Sequence, residues 1–211
     1  PGFYDGVAPI SNELKAQWEN LGFDAKGFLG EVNLSVPAGE QGFSALEQIW
    51  ARPTLEFNGI DGGYTGEGFK TVLPAQASTK ISARLVGDQD PAKINQALRD
   101  RVLEMLPADC EAEFVMGRHG SGGIVLPVDD PIFQKARKAL SDEWPREAAF
   151  VGCGGSIPVV GHFQEILDMD SLMIGFGLDD DRIHSPNEKY SLTSFQKGAR
   201  SWARVIDALT S

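Results

Sequence analysis

One histidine in the sequence stands where an open α/β sheet would place a ligand. His184 follows the apolar run SLMIGFGL and three aspartates, Asp179 to Asp181. The run contains no charged residue, which is typical of a strand buried on both faces of a largely parallel sheet. Because ligands bind beyond the carboxyl ends of such strands, the position favours a functional imidazole. The alternative is an ordinary loop histidine beside a solvated acidic run.

A metal site at His184 would need further ligands from elsewhere. Zinc takes three or four nitrogen, oxygen or sulfur ligands, and no second histidine stands at a fixed metal-binding spacing from His184. Any further ligands would therefore come from elsewhere. We expect Asp179, Asp180 and Asp181 to lie on a solvated face.

A glycine-rich turn, GCGGSIP from Gly152 to Pro158, leads into a predicted helix. Ser156 is placed to cap this helix, and Pro158 falls in its first turn. Free N–H groups at a helix start favour an anion. The pattern is neither the dinucleotide motif nor a Walker loop, so a carboxylate-sized ligand fits it better. A tight turn with nothing bound is the alternative.

Three further residues have side chains suited to a binding site. Arg84 lies on the polar face of a predicted strand among small neighbours, where a guanidinium can grip a carboxylate with two bonds. Thr71 stands near the end of a glycine-rich segment between strands, and His119 lies in the turn GRHGSGG. A surface ion pair for Arg84 and an ordinary loop for Thr71 are the alternatives. For His119 the alternative is a hinge residue, and spacing does not decide between the two.

The elements of the first half predict an α+β layer. The first 50 residues read as helix and loop, and TLEFNGI and TVLPAQASTKISARLVG then predict strands with one polar face. Asp90-Pro91 opens a helix that Pro107 ends, and CEAEFVMG is predicted as the next strand. This order predicts an antiparallel sheet backed by helices.

The second half is predicted to form a separate domain. The segment HGSGGIVLPVD marks a crossing, and Asp130-Pro131 opens the next helix, with Ile132 among its inward residues. A helix from about Ser156 to Leu167 and the strand SLMIGFGL follow. The final helix is predicted to bury one apolar stripe: Phe195, Ala199, Trp202, Val205, Ile206 and Leu209.

Composition narrows the class of protein. The 211 residues are 42% hydrophobic and carry 19 Lys and Arg against 30 Asp and Glu, a net charge of −11. A core of useful size is therefore possible, while nucleic acid and anionic membranes are disfavoured as partners. No membrane span, signal peptide or C-x-x-C pair is visible, so we expect a cytoplasmic protein with reduced thiols. The chain opens without methionine, and we expect it to be a piece of something longer.

Three segments together resemble one enzyme family: WARPTLEFNGIDGGYTGEGFKTVLPAQASTKISARLVGDQDP, GGSIPV and GFGLDDDRIHSPNEKY. The family is the zinc-dependent amidohydrolases and peptidases that include carnosine dipeptidase, aminoacylase, carboxypeptidase G and succinyl-diaminopimelate desuccinylase. The resemblance covers Trp50 to Leu209 and is strongest to the dipeptidase branch. It implies α/β and α+β architecture, with residues 1–126 as a partial lid and dimerisation domain and residues 127–211 as the C-terminal segment of the catalytic domain.

The resemblance also implies roles for individual residues. His184 would be the family's last metal ligand, in a site of two zinc ions. Thr71 and Arg84 would grip the substrate carboxylate, and Gly155 with Ser156 would receive it at the helix start. His119 aligns less securely with a histidine near the site. Cys153 stands where close relatives often have glutamate, and we assign it no role.

The resemblance implies hydrolysis of dipeptides or N-acyl amino acids by a metal-activated water, in a homodimer formed through the lid. In the family the other ligands and the glutamate base precede the lid, so we expect no catalytic residue in this chain. The alternative is a dimerisation and binding module that performs no catalysis as it stands.

Overall fold

The computed structural model describes residues 1–117, 120–154 and 157–211. It divides the chain into two compact units. The first comprises Pro1–Lys15, Gly22–Ile124 and Gly152–Ser156, and the second comprises Ala16–Leu21, Val125–Val151 and Ile157–Ser211. The assignment of residues 1–126 to a lid and 127–211 to a catalytic segment stays a prediction.

Seven α-helices and two strands follow one another along the described ranges. They are α1 (Asn12–Glu19), α2 (Ala25–Gly30), α3 (Ala45–Ala51), β1 (Thr54–Gly62), β2 (Ala77–Arg84), α4 (Pro91–Met105), α5 (Pro131–Ser141), α6 (Pro158–Leu167) and α7 (Leu192–Thr210). A 3-10 helix, Asp179–Asp181, precedes α7. None of the described helices is long and apolar enough to cross a membrane.

Strands β1 and β2 form an antiparallel hairpin, as predicted. Thr54 pairs with Arg84 at one end and Gly62 with Ala77 at the other, and the register shifts between Phe57 and Gly59. This bulge places one extra residue, Asn58, in β1. Residues on both sides of it, Leu55, Phe57 and Ile60, consequently share one face of the hairpin, and all three are exposed.

Two predicted strands do not appear in the structure. CEAEFVMG and SLMIGFGL are not paired in a sheet, and the sheet of the described chain contains β1 and β2 alone. The pattern of residues in a segment shows only that its side chains are compatible with a sheet. A strand also needs a neighbouring strand that supplies the backbone hydrogen bonds of the ladder. Phe114 in the first segment instead packs under the guanidinium of Arg99 on α4, 4.8 Å from ring centroid to Arg99 Cζ.

The two predicted Asp-Pro helix starts are confirmed. Asp90 accepts a hydrogen bond from Ala92 N at 2.8 Å, and Asp130 accepts one from Ile132 N at 2.7 Å. In each case the aspartate satisfies a free N–H and proline fixes the first helical φ. Ile132 itself is exposed, so its predicted inward placement is wrong.

Helices α5 and α7 enclose the core of the second unit, around Ala136, Ala139 and Val205. The predicted stripe of α7 is wrong for its bulky members, because Phe195, Trp202 and Ile206 are exposed. Val205 of the predicted stripe is buried as expected, and the rest of the buried face carries small residues: Ser194, Gly198 and Ser201.

Small residues on α7 let two aromatic rings approach the helix. A Cβ at Gly198 would lie 2.9 Å from the ring of Phe176, closer than carbon atoms approach. Trp144 stacks on Phe176 with centroids 5.6 Å apart and donates its indole N–H to Ser201 Oγ at 2.9 Å. Aromatic volume from outside the helix thus fills the core that bulky α7 residues were predicted to fill.

Glu143 ties the end of α5 to α7. Its carboxylate accepts from Arg200 Nε at 2.8 Å and Arg204 Nε at 3.1 Å, and its carbonyl accepts from Lys197 Nζ at 3.0 Å. The hydrogen bond from Arg200 is the main reason why the pKa of Glu143 is lowered; desolvation opposes this and Arg204 adds to it. The ionised form of Glu143 is therefore the stabilising one.

This tie predicts a specific pH dependence of stability. Since Glu143 has a lower pKa folded than unfolded, its contribution is present above about pH 4.3 and is lost as the pH falls further. Urea unfolding between pH 3 and 7 should show a shallower acid loss for Glu143→Gln than for the wild type. Glu19→Gln, at an exposed position of the same unit, is the matched control and should retain the wild-type profile. Equal profiles for the wild type and Glu143→Gln would contradict the assignment.

Candidate functional site

His184 lies on a compact loop that follows the 3-10 helix Asp179–Asp181. Three residues of the loop adopt left-handed backbone conformations: Arg182, His184 and Asn187, with φ of 53°, 63° and 62°. Ser185 N donates to Arg182 O at 2.9 Å, and Lys189 N donates to Asp181 O at 3.0 Å. The loop therefore closes on itself and carries the His184 side chain at its exposed tip.

A buried carboxylate fixes the base of this loop. Asp181 is 1% exposed and accepts from Leu178 N at 2.7 Å and from Lys189 Nζ at 3.1 Å. Asp180, by contrast, is exposed and pairs with Lys189 Nζ at 2.9 Å. The expectation of a solvated face is thus wrong for Asp181, because its neighbours in space, which a run of three identical residues does not reveal, supply its hydrogen bonds.

The charges at the loop base stabilise each other. The Leu178 N–H is the main cause of a lowered pKa for Asp181; burial opposes it and Lys189 adds to it. Hydrogen bonds to Asp180 and then Asp181 raise the pKa of Lys189. Both groups are therefore held in their charged forms at neutral pH. Lys189 is a residue of the loop base that the sequence analysis missed, and its place on the same short loop as His184 was the available signal.

An open depression of about 470 Å³ borders the loop base. Polar side chains of the Asp181–Lys189 pair line it together with the apolar side chain of Ile183 and the ring of Tyr190. Such a mixed surface can receive a small group that has both polar and apolar parts.

The described residues fit a metal ion only in part. No three His, Cys, Asp or Glu side chains among them lie close enough together to hold a metal. The exposed imidazole of His184 is suited to one ligand position, and zinc requires at least two more protein donors. The role of His184 as a metal ligand stays a prediction.

Arg84 ends strand β2, opposite Thr54. Its guanidinium is exposed and forms no ion pair with a carboxylate of the described chain, so it is available to an anionic ligand. Thr71 is exposed in the loop that joins β1 to β2, at the other end of the hairpin from Arg84. The two predicted clamp residues therefore belong to opposite ends of one hairpin.

The remaining predicted site residues, His119, Gly155 and Ser156, lie outside the described residues. Gly152, in the same glycine-rich turn as Gly155, has a structural reason to be glycine, because a Cβ there would overlap Trp50 Cβ. Helix α6 begins at Pro158, and Ile157 before it offers no side-chain cap. The anion site at this helix start therefore stays a prediction.

Comparison with known proteins identifies the family. The chain matches the model of Peptidase family M20/M25/M40 over residues 14–208, and it belongs to this family. This confirms the resemblance seen in the sequence.

Individual relatives are dipeptidases. The Cys-Gly metallodipeptidase DUG1 of Candida albicans is 28% identical over 204 residues, which cover 95% of this chain and 42% of the relative. The Beta-Ala-His dipeptidase of Rattus norvegicus is 26% identical over 206 residues, covering 96% of this chain and 42% of the relative. The chain thus spans less than half the length of these relatives.

A solved structure confirms the fold class. The di-peptidase Dug1p from Saccharomyces cerevisiae superposes with a TM-score of 0.69 at 27% identity, covering 99% of this chain and 44% of that chain. The mixture of helices with a small antiparallel sheet therefore belongs to a metallopeptidase architecture.

The loop base gives a testable prediction. Asp181→Ala leaves Leu178 N–H and the Lys189 ammonium without their buried acceptor, so the loop should open more often. Hydrogen–deuterium exchange followed by mass spectrometry should show the amides of Leu178 and Lys189 exchanging about tenfold faster. Asp179→Ala, an exposed position of the same 3-10 helix, is the control and should leave both rates unchanged. Unaltered protection in Asp181→Ala would show that other contacts hold the loop.

Proposed function

We propose that this chain is part of a zinc-dependent dipeptidase or amidohydrolase that hydrolyses dipeptides or N-acyl amino acids. The observation that carries the proposal is the family match over residues 14–208, together with relatives named as Cys-Gly and Beta-Ala-His dipeptidases. In this proposal residues 1–126 act as a lid and residues 127–211 belong to the catalytic domain. The metal ligands other than His184, and the general base, come from outside the described residues.

His184 supplies one imidazole nitrogen to the metal site. Bound zinc polarises a carbonyl and makes water a better nucleophile at neutral pH. The contribution of this chain is to hold the imidazole in place, because the hydrogen bonds of Asp181 limit the movement of the loop base. A well-fixed ligand lowers the entropy lost when the metal binds.

Arg84 is proposed to bind the substrate carboxylate. Its exposed guanidinium can present parallel N–H donors to the two carboxylate oxygens. Thr71, His119, Gly155 and Ser156 are proposed as further substrate-binding residues. A cytoplasmic location belongs to the same proposal.

Substitutions of His184 and Arg84 should have different effects on the complete enzyme. His184→Ala removes a zinc ligand, so metal content measured by elemental analysis should fall and kcat should collapse. Arg84→Ala should retain zinc and lose about 2 kcal/mol of transition-state binding, roughly 30-fold in kcat/KM. The loss for Arg84→Ala should shrink on a C-terminally amidated dipeptide, which has no carboxylate to clamp. A His184→Ala variant with full zinc content and full rate would make His184 an ordinary loop residue.

A second candidate function is a dimerisation and binding module. The observation that favours it is the hairpin: an apolar face formed by Leu55, Phe57 and Ile60 is exposed, with Ile60 at 82%. The outer edges of β1 and β2 also have no strand partner in the described chain. Apolar faces and open strand edges both favour association, and we propose a homodimer formed through this hairpin.

The hairpin face predicts a change in oligomeric state. Sedimentation velocity at micromolar concentration should give a dimer for the wild type and a monomer for Ile60→Asp, because dimerisation would bury the new charge. Lys80→Gln, on the opposite face of the hairpin, should remain dimeric. The same wild-type sample should show no metal-dependent dipeptide hydrolysis under either candidate function, because the general base and the other metal ligands come from elsewhere. A strictly monomeric wild type would contradict the dimer.

A further inference from the structure

The face of the hairpin that carries Arg84 also carries an acidic residue, Glu56. Thr54 lies opposite Arg84, and Glu56 lies opposite Ser82. Alternate residues of a strand share a face, so these four side chains lie on the same side of the hairpin. Diagonal neighbours on such a face are about 7–8 Å apart, within reach of long side chains. Glu56 is therefore placed to form an ion pair with Arg84.

The structure shows a different arrangement of Glu56. Its Oε1 accepts a hydrogen bond from Thr54 Oγ1, and its Oε2 accepts one from Ser82 Oγ at 3.3 Å. Each carboxylate oxygen thus has a hydroxyl donor from the hairpin itself. Arg84 remains exposed, and no carboxylate of the described residues pairs with it.

The hydroxyls of Thr54 and Ser82, one on each oxygen of Glu56, compete with Arg84 for this carboxylate. An exposed ion pair gains little free energy, because water screens it and two long side chains lose freedom. Hydroxyl donors on short, stiff side chains lose less freedom when they bind the same carboxylate. The Glu56 carboxylate consequently stays hydrogen-bonded to Thr54 and Ser82 and does not pair with Arg84.

We propose that Thr54 and Ser82 are positioning residues that hold Glu56 away from Arg84 and leave the guanidinium free for the substrate carboxylate. The inference rests on the proposed role of Arg84 as the carboxylate clamp. It adds a reason why an acid so close to an anion-binding arginine does not block it. The arrangement should affect the binding of substrates with a free carboxylate and leave the binding of amidated substrates unchanged.

The test uses steady-state kinetics on the complete enzyme. In Thr54→Val/Ser82→Ala, Glu56 loses both donors and pairs with Arg84, so KM for a dipeptide with a free carboxylate should rise about two- to fivefold. KM for the amidated dipeptide and kcat for both substrates should stay at wild-type values. Adding Glu56→Gln should restore KM, because the competing charge is gone. Ser82→Ala alone, a milder change at an exposed position, should raise KM by a smaller factor.

Two outcomes would overturn the inference. One is an unchanged KM in the double variant. The other is a raised KM that Glu56→Gln does not restore, since damage to the hairpin would persist in the triple variant.

A crystal structure of the double variant separates this inference from the proposed function. It should place a Glu56 oxygen within about 4 Å of the Arg84 guanidinium, the distance of an ion pair. If Arg84→Ala leaves KM for the free dipeptide unchanged, the carboxylate clamp is wrong. The Glu56–Arg84 distance would still show whether Thr54 and Ser82 keep the two charges apart, and Glu56 remaining on its original side would refute that.

Discussion

The candidate metal-ligand loop depends on the burial of one carboxylate. Asp181 is removed from water, and a buried charge is costly unless donors replace the lost hydration. Leu178 N–H and Lys189 Nζ are those donors, and they come from the two ends of the loop. The need to satisfy Asp181 therefore brings the loop ends together. His184, with its left-handed backbone, stands between two fixed points rather than in a free segment.

Lys189 and Arg84 illustrate how the same kind of charge serves two purposes. Lys189 forms ion pairs with Asp180 and Asp181, so its charge balances two of the protein's own acids. Arg84 forms no ion pair with the described residues, in a chain with a net charge of −11. Other described cations, among them Lys26, Lys93 and Arg146, also have no ion pair, so the lack of one at Arg84 does not by itself point to a ligand. The proposed binding role of Arg84 rests on the family resemblance of the segment that contains it.

Local signals in the sequence predicted local structure well. Asp90-Pro91 and Asp130-Pro131 identified two helix starts, since a cap involves residues only two positions apart. The β1–β2 hairpin was equally predictable, because apolar and polar residues alternate along its strands. Failures arose where a distant residue decides the outcome: Gly198 faces inward because Phe176 approaches α7, and Asp181 is buried because Lys189 reaches it. For Arg84 the sequence supplied its place on a strand, whereas the strand SLMIGFGL that was predicted to position His184 is absent from the described residues. A metal or a substrate partner cannot be inferred from one chain's periodicity.

The bulge at Asn58 separates the two halves of the hairpin. In a regular strand, inserting or removing one residue reverses which side chains face each way along the whole remaining length. Here the extra residue lies between Phe57 and Gly59, and the bulge absorbs it, so the residues on both sides keep the face of their partners on β2. The length of β1 can therefore differ by one residue at this point without turning Arg84 or Ile60 to the other face.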